Sequence, residues 1–96
     1  MGPSASPAGH FVVLYFAAAA SYTGKTSEHL ASPMAAGELF GRLEQLYPGI
    51  RARVLESCAV TVNLQYINLD GDDAEGARVL LKEGDEVAII PPVSSG

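Results

Sequence analysis

The sequence predicts an α+β domain in which one main helix covers one face of a mixed sheet of four or five strands. Two runs, residues 11–16 and 86–90, are rich in β-branched, aromatic and other apolar residues, which is typical of buried strands. Between them, residues 32–47 carry apolar side chains at three- and four-residue spacing, the period of an amphipathic helix. A chain of 96 residues suits one domain, which we place at 10–92.

The first third of the chain is predicted to hold two strands. Residues 1–9, MGPSASPAG, have little to bury, and we expect a disordered lead there. Residues 11–16 are predicted to form a central strand. Residues 21–25, which contain Gly24, are predicted to form a turn, and residues 26–30 a short second strand.

The main helix follows. Ser32 suits the N-cap and Pro33 the first helical position, and the sequence Pro48-Gly49 ends the helix. Gly37 and Gly41 lie four residues apart, on one side of the helix, where they would allow a close approach to the sheet. The predicted apolar stripe consists of Ala36, Leu39, Phe40, Leu43, Leu46 and Tyr47.

The second half adds shorter strands. Residues 59–64, AVTVNL, are predicted to form a third strand and residues 66–68 a short fourth one. Residues 70–76, DGDDAEG, form an acidic turn, after which Leu80 and Leu81 return to the core. A turn at residues 83–85 leads into the last strand.

Composition narrows the function classes. The net charge is −5, and the six Lys and Arg residues are scattered, so we expect no nucleic-acid binding and a partner with a basic surface. The apolar run at 11–20 is too short to span a bilayer, and no Lys or Arg precedes it as in a signal peptide. We therefore expect no membrane association. The single cysteine, Cys58, excludes an intrachain disulfide and fits a reduced, cytosolic setting.

No motif for stand-alone catalysis is present. Cys58 could act as a nucleophile or persulfide acceptor, but it is expected to be an ordinary small hydrophobic residue. His10 and His29 lack further ligands at metal-binding spacing, so no metal site is predicted. Read as a calcium loop, the acidic turn has Ala74, Glu75 and Leu81 where ligands or glycine are required. No nucleotide-binding loop or nucleophile–base set is found.

The chemically suggestive segment is the C-terminal tail. Pro91 and Pro92 follow the last strand, and because proline has no backbone N–H the chain cannot continue pairing in the sheet. We expect residues 93–96 to form a flexible functional tail with the carboxylate of Gly96 at its tip. The alternative is an ordinary frayed end.

Three segments together resemble a known family. Residues 13–17 (VLYFA), residues 59–63 (AVTVN) and above all residues 81–93 (LKEGDEVAIIPPV) are similar to the small subunit of molybdopterin synthase. The resemblance covers about residues 11–96 and implies a ubiquitin-like β-grasp fold. It also implies a non-catalytic sulfur carrier whose active site lies on a large subunit.

The resemblance implies a mechanism. An E1-like activating enzyme consumes ATP to adenylate the carboxylate of Gly96, and sulfur transfer then forms a thiocarboxylate. Pro91, Pro92, Val93, Ser94 and Ser95 carry that group into the large subunit. The sulfur is donated there to cyclic pyranopterin monophosphate in molybdenum cofactor biosynthesis, by a heterotetramer of two small and two large subunits. No cofactor is bound by the carrier itself.

By position, the resemblance places Phe16, Tyr66 and Ile90 in an apolar docking patch for the partner. Core packing is the alternative for Phe16 and Ile90, whereas Tyr66 is expected to be exposed. One departure is Ser95, where the family typically has glycine. Two other functions stay open: a carrier or modifier for tRNA thiolation or protein conjugation, and a β-grasp interaction module that never activates its tail.

Overall fold

Two strands from opposite ends of the chain form the parallel centre of the sheet. The computed structural model describes residues 8–69 and 75–92. Short 3-10 turns lie at Leu55–Ser57 and Glu75–Arg78. The described strands and helices, in chain order, are β1 (His10–Tyr15), α1 (Ala18–Thr23), β2 (Ser27–Ala31), β3 (Met34–Ala35), α2 (Ala36–Leu46), α3 (Ile50–Arg53), β4 (Ala59–Val62), β5 (Gln65–Ile67), β6 (Leu80–Leu81) and β7 (Glu86–Ile90).

The predicted mixed sheet is confirmed. Its five strands lie in the order β2-β1-β7-β4-β5. Strands β1 and β7 run parallel, with Val13 opposite Val87, whereas the other neighbours are antiparallel. Strands β3 and β6 form a separate antiparallel pair. In the β-grasp arrangement, the first and the last long strand pair in parallel and one main helix packs across them. Strands β1 and β7 and helix α2 have this arrangement.

The core lies between α2 and one face of the sheet. Side chains alternate along a strand, so Phe11, Val13 and Tyr15 point to this inner face, where they are buried against the helices. From α2, Leu39 and Leu43 complete the contact and are fully buried. The opposite side of the sheet, called the outer face below, carries no helix in the described part of the chain.

The predicted start of the main helix is wrong. Helix α2 begins at Ala36 and not after Ser32, because Met34 and Ala35 pair with β6 instead. The backbone N–H of Ala36 donates to the Val79 carbonyl at 2.8 Å, which ties the first turn of α2 to the same segment. A pairing between residues more than forty positions apart thus displaces a good local N-cap signal. The predicted end is correct, since α2 stops at Leu46.

The predicted turn at residues 21–25 is largely a helix. Helix α1 spans Ala18–Thr23 and ends at Gly24, which has a φ of 75°. The apolar run therefore divides after Phe16, at Ala17, which has a φ of 51°. The Phe16 carbonyl accepts a hydrogen bond from the Ala19 N–H at 3.0 Å and so closes the turn that separates strand from helix.

Two further expectations need correction. The third strand ends at Val62, because Asn63 and Leu64 have positive φ values and form a two-residue turn into β5. The expected close approach of helix and sheet is wrong at Gly41, where an added Cβ would meet nothing within 4 Å. Gly37 is exposed. Helix α3 and the 3-10 turn after it were not predicted.

Parts of three predictions lie outside the described residues. They are most of the lead at 1–9, the acidic turn at residues 70–74 and the tail at residues 93–96. Of the lead, Gly9 is described, and its N–H donates to the Glu83 carboxylate at 2.9 Å. In the ranges 8–69 and 75–92, none of the helices has the length and hydropathy required to cross a bilayer.

Candidate functional site

The strand that precedes the tail in sequence lies at the centre of the sheet. The last paired residue of β7 is Ile90, which lies opposite Ala59. Pro91 is half-buried and Pro92 is exposed, and neither belongs to a strand. The root of the tail is therefore fixed by a strand held on both sides, by β1 and β4. The remaining predicted tail residues, Val93, Ser94, Ser95 and Gly96, lie outside the described part of the chain.

Two residues of the predicted patch lie next to this root. Tyr15 and Ile89 are partners in the parallel β1–β7 register, and Phe16 and Ile90 are the next residue on each chain. Because Tyr15 and Ile89 point to the inner face, the residues after them leave it. The side chain of Phe16 is 48% exposed, and Ile90 is half-buried. Neither belongs to the buried core, so the core-packing alternative is wrong for Phe16.

Tyr66 reaches the same face from the far edge. It lies opposite Thr61, which in turn lies opposite Ala88, and Ala88 lies opposite Leu14. Tyr66 is 74% exposed, as expected, whereas Thr61 and Ala88 are small and buried. The outer face is consequently low in its middle and higher on both sides, where Tyr66 and Phe16 protrude.

A groove extends the face toward the β2 edge. Its volume is about 540 Å³. The floor consists of Val12 and Leu14, and Phe16 lines the groove next to them. Its other lining residues are Tyr15, Thr26, Ser27, His29 and Glu86. Apolar atoms form most of the surface of the groove, and Glu86 is the acidic residue that lines it. The groove meets the predicted patch at Phe16.

A hydrogen-bond network behind this face fixes the end of β1. The Glu28 carboxylate accepts bonds from the hydroxyl of Tyr15 at 2.5 Å and from the hydroxyl of Tyr47 at 2.9 Å. The Lys25 ammonium donates to the same carboxylate at 3.1 Å. The two tyrosine rings meet edge to face, with centroids 6.4 Å apart. Strands β1 and β2 and the end of α2 are thereby joined one residue before Phe16.

The ionisation states follow from this geometry. Burial by itself raises the pKa of Glu28, but the hydrogen bonds from Tyr15, Lys25 and Tyr47 outweigh it and leave the pKa below its ordinary value. Burial, and then the bond to Glu28, raises the pKa of Tyr15, so its hydroxyl stays protonated and donates. The Glu28 carboxylate accepts hydrogen bonds from three donors, so we assign this network a structural role in holding β1, β2 and the end of α2 together.

The other candidate reactive groups lie apart. Cys58 is half-buried, its thiol contacts the Val54 carbonyl at 3.0 Å, and burial raises its pKa, which makes it a poor nucleophile. His10 and His29 lie on different strands, and among residues 8–69 and 75–92 no three metal-ligating side chains cluster. The described residues thus present an exposed apolar face beside the root of the tail.

Sequence reasoning missed several residues of this face. Val12, Leu14, Thr61 and Ala88 belong to it, yet the strands that carry them contain apolar residues on both sides, so alternation gave no signal. The sequence pattern places Leu64 in the third strand, but it lies in the β4–β5 turn and is 85% exposed. The turn is visible locally only in Asn63, a residue that tolerates positive φ.

The fold and the site define a class: ubiquitin-like β-grasp domains with an exposed apolar sheet face and a tail that leaves from the central strand. A solved relative of this class is SAMP1 from Haloferax volcanii. It has a TM-score of 0.72 and 22% identity, and the alignment covers 92% of this chain and 100% of that one. A complex of subunits 1 and 2 of the molybdopterin-converting factor from Helicobacter pylori has a TM-score of 0.57. Its matching chain is 21% identical, with coverage of 88% of this chain and 96% of that one.

The chain belongs to the ThiS family, whose model matches residues 13–96. A relative from Pyrenophora tritici-repentis, described as a molybdopterin synthase sulfur carrier subunit, is 60% identical over 96 residues and is covered completely, as is this chain. The family assignment agrees with the resemblance found in residues 81–93.

Proposed function

We propose that this chain is the sulfur carrier subunit of a molybdopterin synthase and that the carboxylate of Gly96 is its working group. The observation that carries the proposal is the full-length similarity to a protein of that description, 60% over 96 residues, joined to a tail root at the centre of the sheet. The folded domain binds the partner proteins. The chemistry takes place at the carboxylate of Gly96, in the active sites of those partners.

The proposed reaction begins with activation. An E1-like enzyme lets the Gly96 carboxylate attack the α-phosphate of ATP, so that pyrophosphate leaves and an acyl-adenylate forms. Hydrosulfide, from the sulfur donor, then attacks the acyl carbon and displaces AMP, and loss of its proton gives the thiocarboxylate. Glycine suits this chemistry because it leaves the acyl carbon least crowded. The half-buried, inert thiol of Cys58 takes no part.

The thiocarboxylate is then delivered to the large subunit. The outer face docks there through Phe16, Tyr66 and Ile90, and the tail, with Pro91 and Pro92 at its root, enters the active site. Sulfur passes to cyclic pyranopterin monophosphate, and two charged carriers complete one dithiolene. A heterotetramer of two small and two large subunits in the cytosol is the proposed assembly. The net charge of −5 favours partners with basic docking surfaces.

The test is a two-stage reconstitution. Purified chain is incubated with an E1-like activating enzyme, ATP and a sulfur donor, and its intact mass is measured. We expect the mass increase of one carboxyl oxygen replaced by sulfur, and no increase in a variant lacking Gly96, whose melting temperature stays that of the wild type.

The second stage separates the three functions left open by the sequence. Thiocarboxylated chain is mixed with the large subunit and the pterin precursor, and dithiolene formation is followed. Conversion supports the proposal. Failure to convert, with thiolation of tRNA or attachment to lysines instead, identifies a carrier or modifier of another pathway. A chain that active partners never thiolate would be a plain interaction module.

A further inference from the structure

The β4–β5 turn presents a leucine in an unusual way. Leu64 has a φ of 71°, in the left-handed region that favours glycine, and its side chain is 85% exposed. A two-residue turn of this kind is normally completed by glycine, commonly as Asn-Gly. The chain here keeps Asn63 in the first position and places a large apolar residue in the second. Both the backbone conformation and the exposure are unfavourable for leucine.

The turn is held rigidly. The side chain of Asn63 donates to the Asp85 carboxylate at 3.1 Å and accepts from the Glu86 N–H at 3.0 Å. Its backbone N–H donates to the Glu86 carbonyl at 2.8 Å. Asp85 is itself fixed by the Lys82 N–H at 2.7 Å. These bonds tie the turn to the start of β7, so the backbone that presents Leu64 is fixed before any partner arrives, which lowers the entropic cost of docking.

Leu64 lies two residues from Tyr66, the most exposed residue of the predicted patch. Strain in a fold tends to be retained where it serves a binding site. Resting on the proposed function, we infer that Leu64 is a second anchor for the large subunit and inserts into an apolar pocket beside the one that receives Tyr66. Asp85 and Glu86 lie directly behind the turn, so the pocket rim is expected to carry Lys or Arg.

The position allows a test in which stability and affinity move in opposite directions. Replacing Leu64 by glycine removes the backbone strain, so the melting temperature should stay equal or rise by up to about 4 °C. The same change removes the anchor, so the Kd for the purified large subunit should rise roughly tenfold or more. A residue with only a structural role cannot weaken binding while leaving the fold as stable as before.

Two variants serve as controls. Leu64→Met keeps an apolar side chain of similar volume and should bind within about twofold of the wild type. Leu46→Ala truncates another exposed leucine, on α2, the helix that covers the inner face, and should leave the Kd unchanged. All four proteins are compared by calorimetric titration with the large subunit and by thermal unfolding.

The outcomes distinguish this inference from the proposed function. If Leu64→Gly binds like the wild type while Phe16→Ala or Tyr66→Ala binds weakly, the anchor is refuted and the carrier function stands. If the wild-type chain dimerises through Leu64, with an unchanged Kd for the large subunit in the glycine variant, the anchor is again refuted. If the wild-type chain does not bind the large subunit at all, both proposals fall.

Discussion

The hydroxyl of Tyr15 donates a 2.5 Å hydrogen bond to the carboxylate of Glu28, across the antiparallel pair of β1 and β2. The Glu28 side chain is only 14% exposed and also accepts bonds from Tyr47 and Lys25. Because Phe16 directly follows Tyr15, the network fixes the strand end that carries this exposed residue of the proposed docking patch. The ion pair with the half-exposed Lys25 would by itself contribute little, but a carboxylate with three donors is well satisfied.

Replacing Glu28 by glutamine should destabilise the domain. The amide is uncharged, so it loses the charge-assisted bonds from Tyr15 and Lys25, and we expect the free energy of unfolding to fall by about 2 kcal/mol. Urea denaturation at neutral pH measures the change. Glu56→Gln, at an exposed position of the 3-10 turn, is the matched control and should change the free energy by less than about 0.5 kcal/mol. Equal stability of the two variants would show that the network is unimportant.

The stabilisation from Glu28 should depend on pH in a defined direction. The pKa of Glu28 in the folded chain lies below its ordinary value of 4.5, so the unfolded state binds the proton more tightly. The contribution is therefore fully present above that pH and is lost as the pH falls through the folded pKa. Unfolding free energies of the wild type and Glu28→Gln, measured from neutral pH down to about pH 3, should converge at the acid end. A gap independent of pH contradicts this assignment.

Truncating the protruding residues of the outer face should weaken binding without unfolding the domain. Phe16→Ala and Tyr66→Ala each remove a side chain that is about half exposed or more, so the melting temperature should hardly change. Each is expected to raise the Kd for the large subunit roughly tenfold, as buried aromatic anchors do. Surface plasmon resonance with both variants and with Leu46→Ala measures the effect. Wild-type affinity in both aromatic variants would place the interface elsewhere.

Two glycine substitutions should act in opposite directions. At Gly76, a Cβ would overlap the backbone of Asn68, with its nitrogen 2.6 Å away and its carbonyl oxygen closer still. We expect Gly76→Ala to cost about 2 kcal/mol of stability. At Gly41, in α2, a Cβ meets nothing within 4 Å, so Gly41→Ala should add about 1 kcal/mol through helix propensity. Chemical denaturation of both variants measures their free energies of unfolding. A Gly76→Ala variant as stable as the wild type would contradict the tight packing of that turn.

Ser95 gives a prediction about the tail. The family resemblance leads us to expect glycine there, and glycine has access to backbone conformations that serine lacks. Ser95→Gly should therefore transfer sulfur to the pterin precursor at least as fast as the wild type, whereas Ser95→Val should be slower. Single-turnover assays with thiocarboxylated variants measure the rates. A slower Ser95→Gly variant means that the serine hydroxyl contributes a contact of its own.

Much of the sheet could be predicted from the sequence because its signals are local. The β-branched runs of β1 and β7 and the apolar stripe of α2 each carry their own periodicity, and Pro48-Gly49 ends α2 by local stereochemistry. The errors lie where distant residues compete with such signals. Ser32 and Pro33 resemble a helix start, but Met34 and Ala35 pair with Leu81 and Leu80, so the helix begins later.

The outer face of the sheet likewise combines features that local sequence predicts with features that only the pairing of strands decides. The sequence by itself determined that the chain has strands, one main helix and a last strand that stops before Pro91 and Pro92, because these depend on the bonding and periodicity of neighbouring residues. It left Phe16 open between core and surface, since an unbroken apolar run has no alternation. Only the tertiary structure decided the matter: the parallel pairing of Tyr15 with Ile89 turns Phe16 and Ile90 away from the helices. The positive φ of Leu64 likewise arises from the β4–β5 pairing, for which Asn63 is the single local signal.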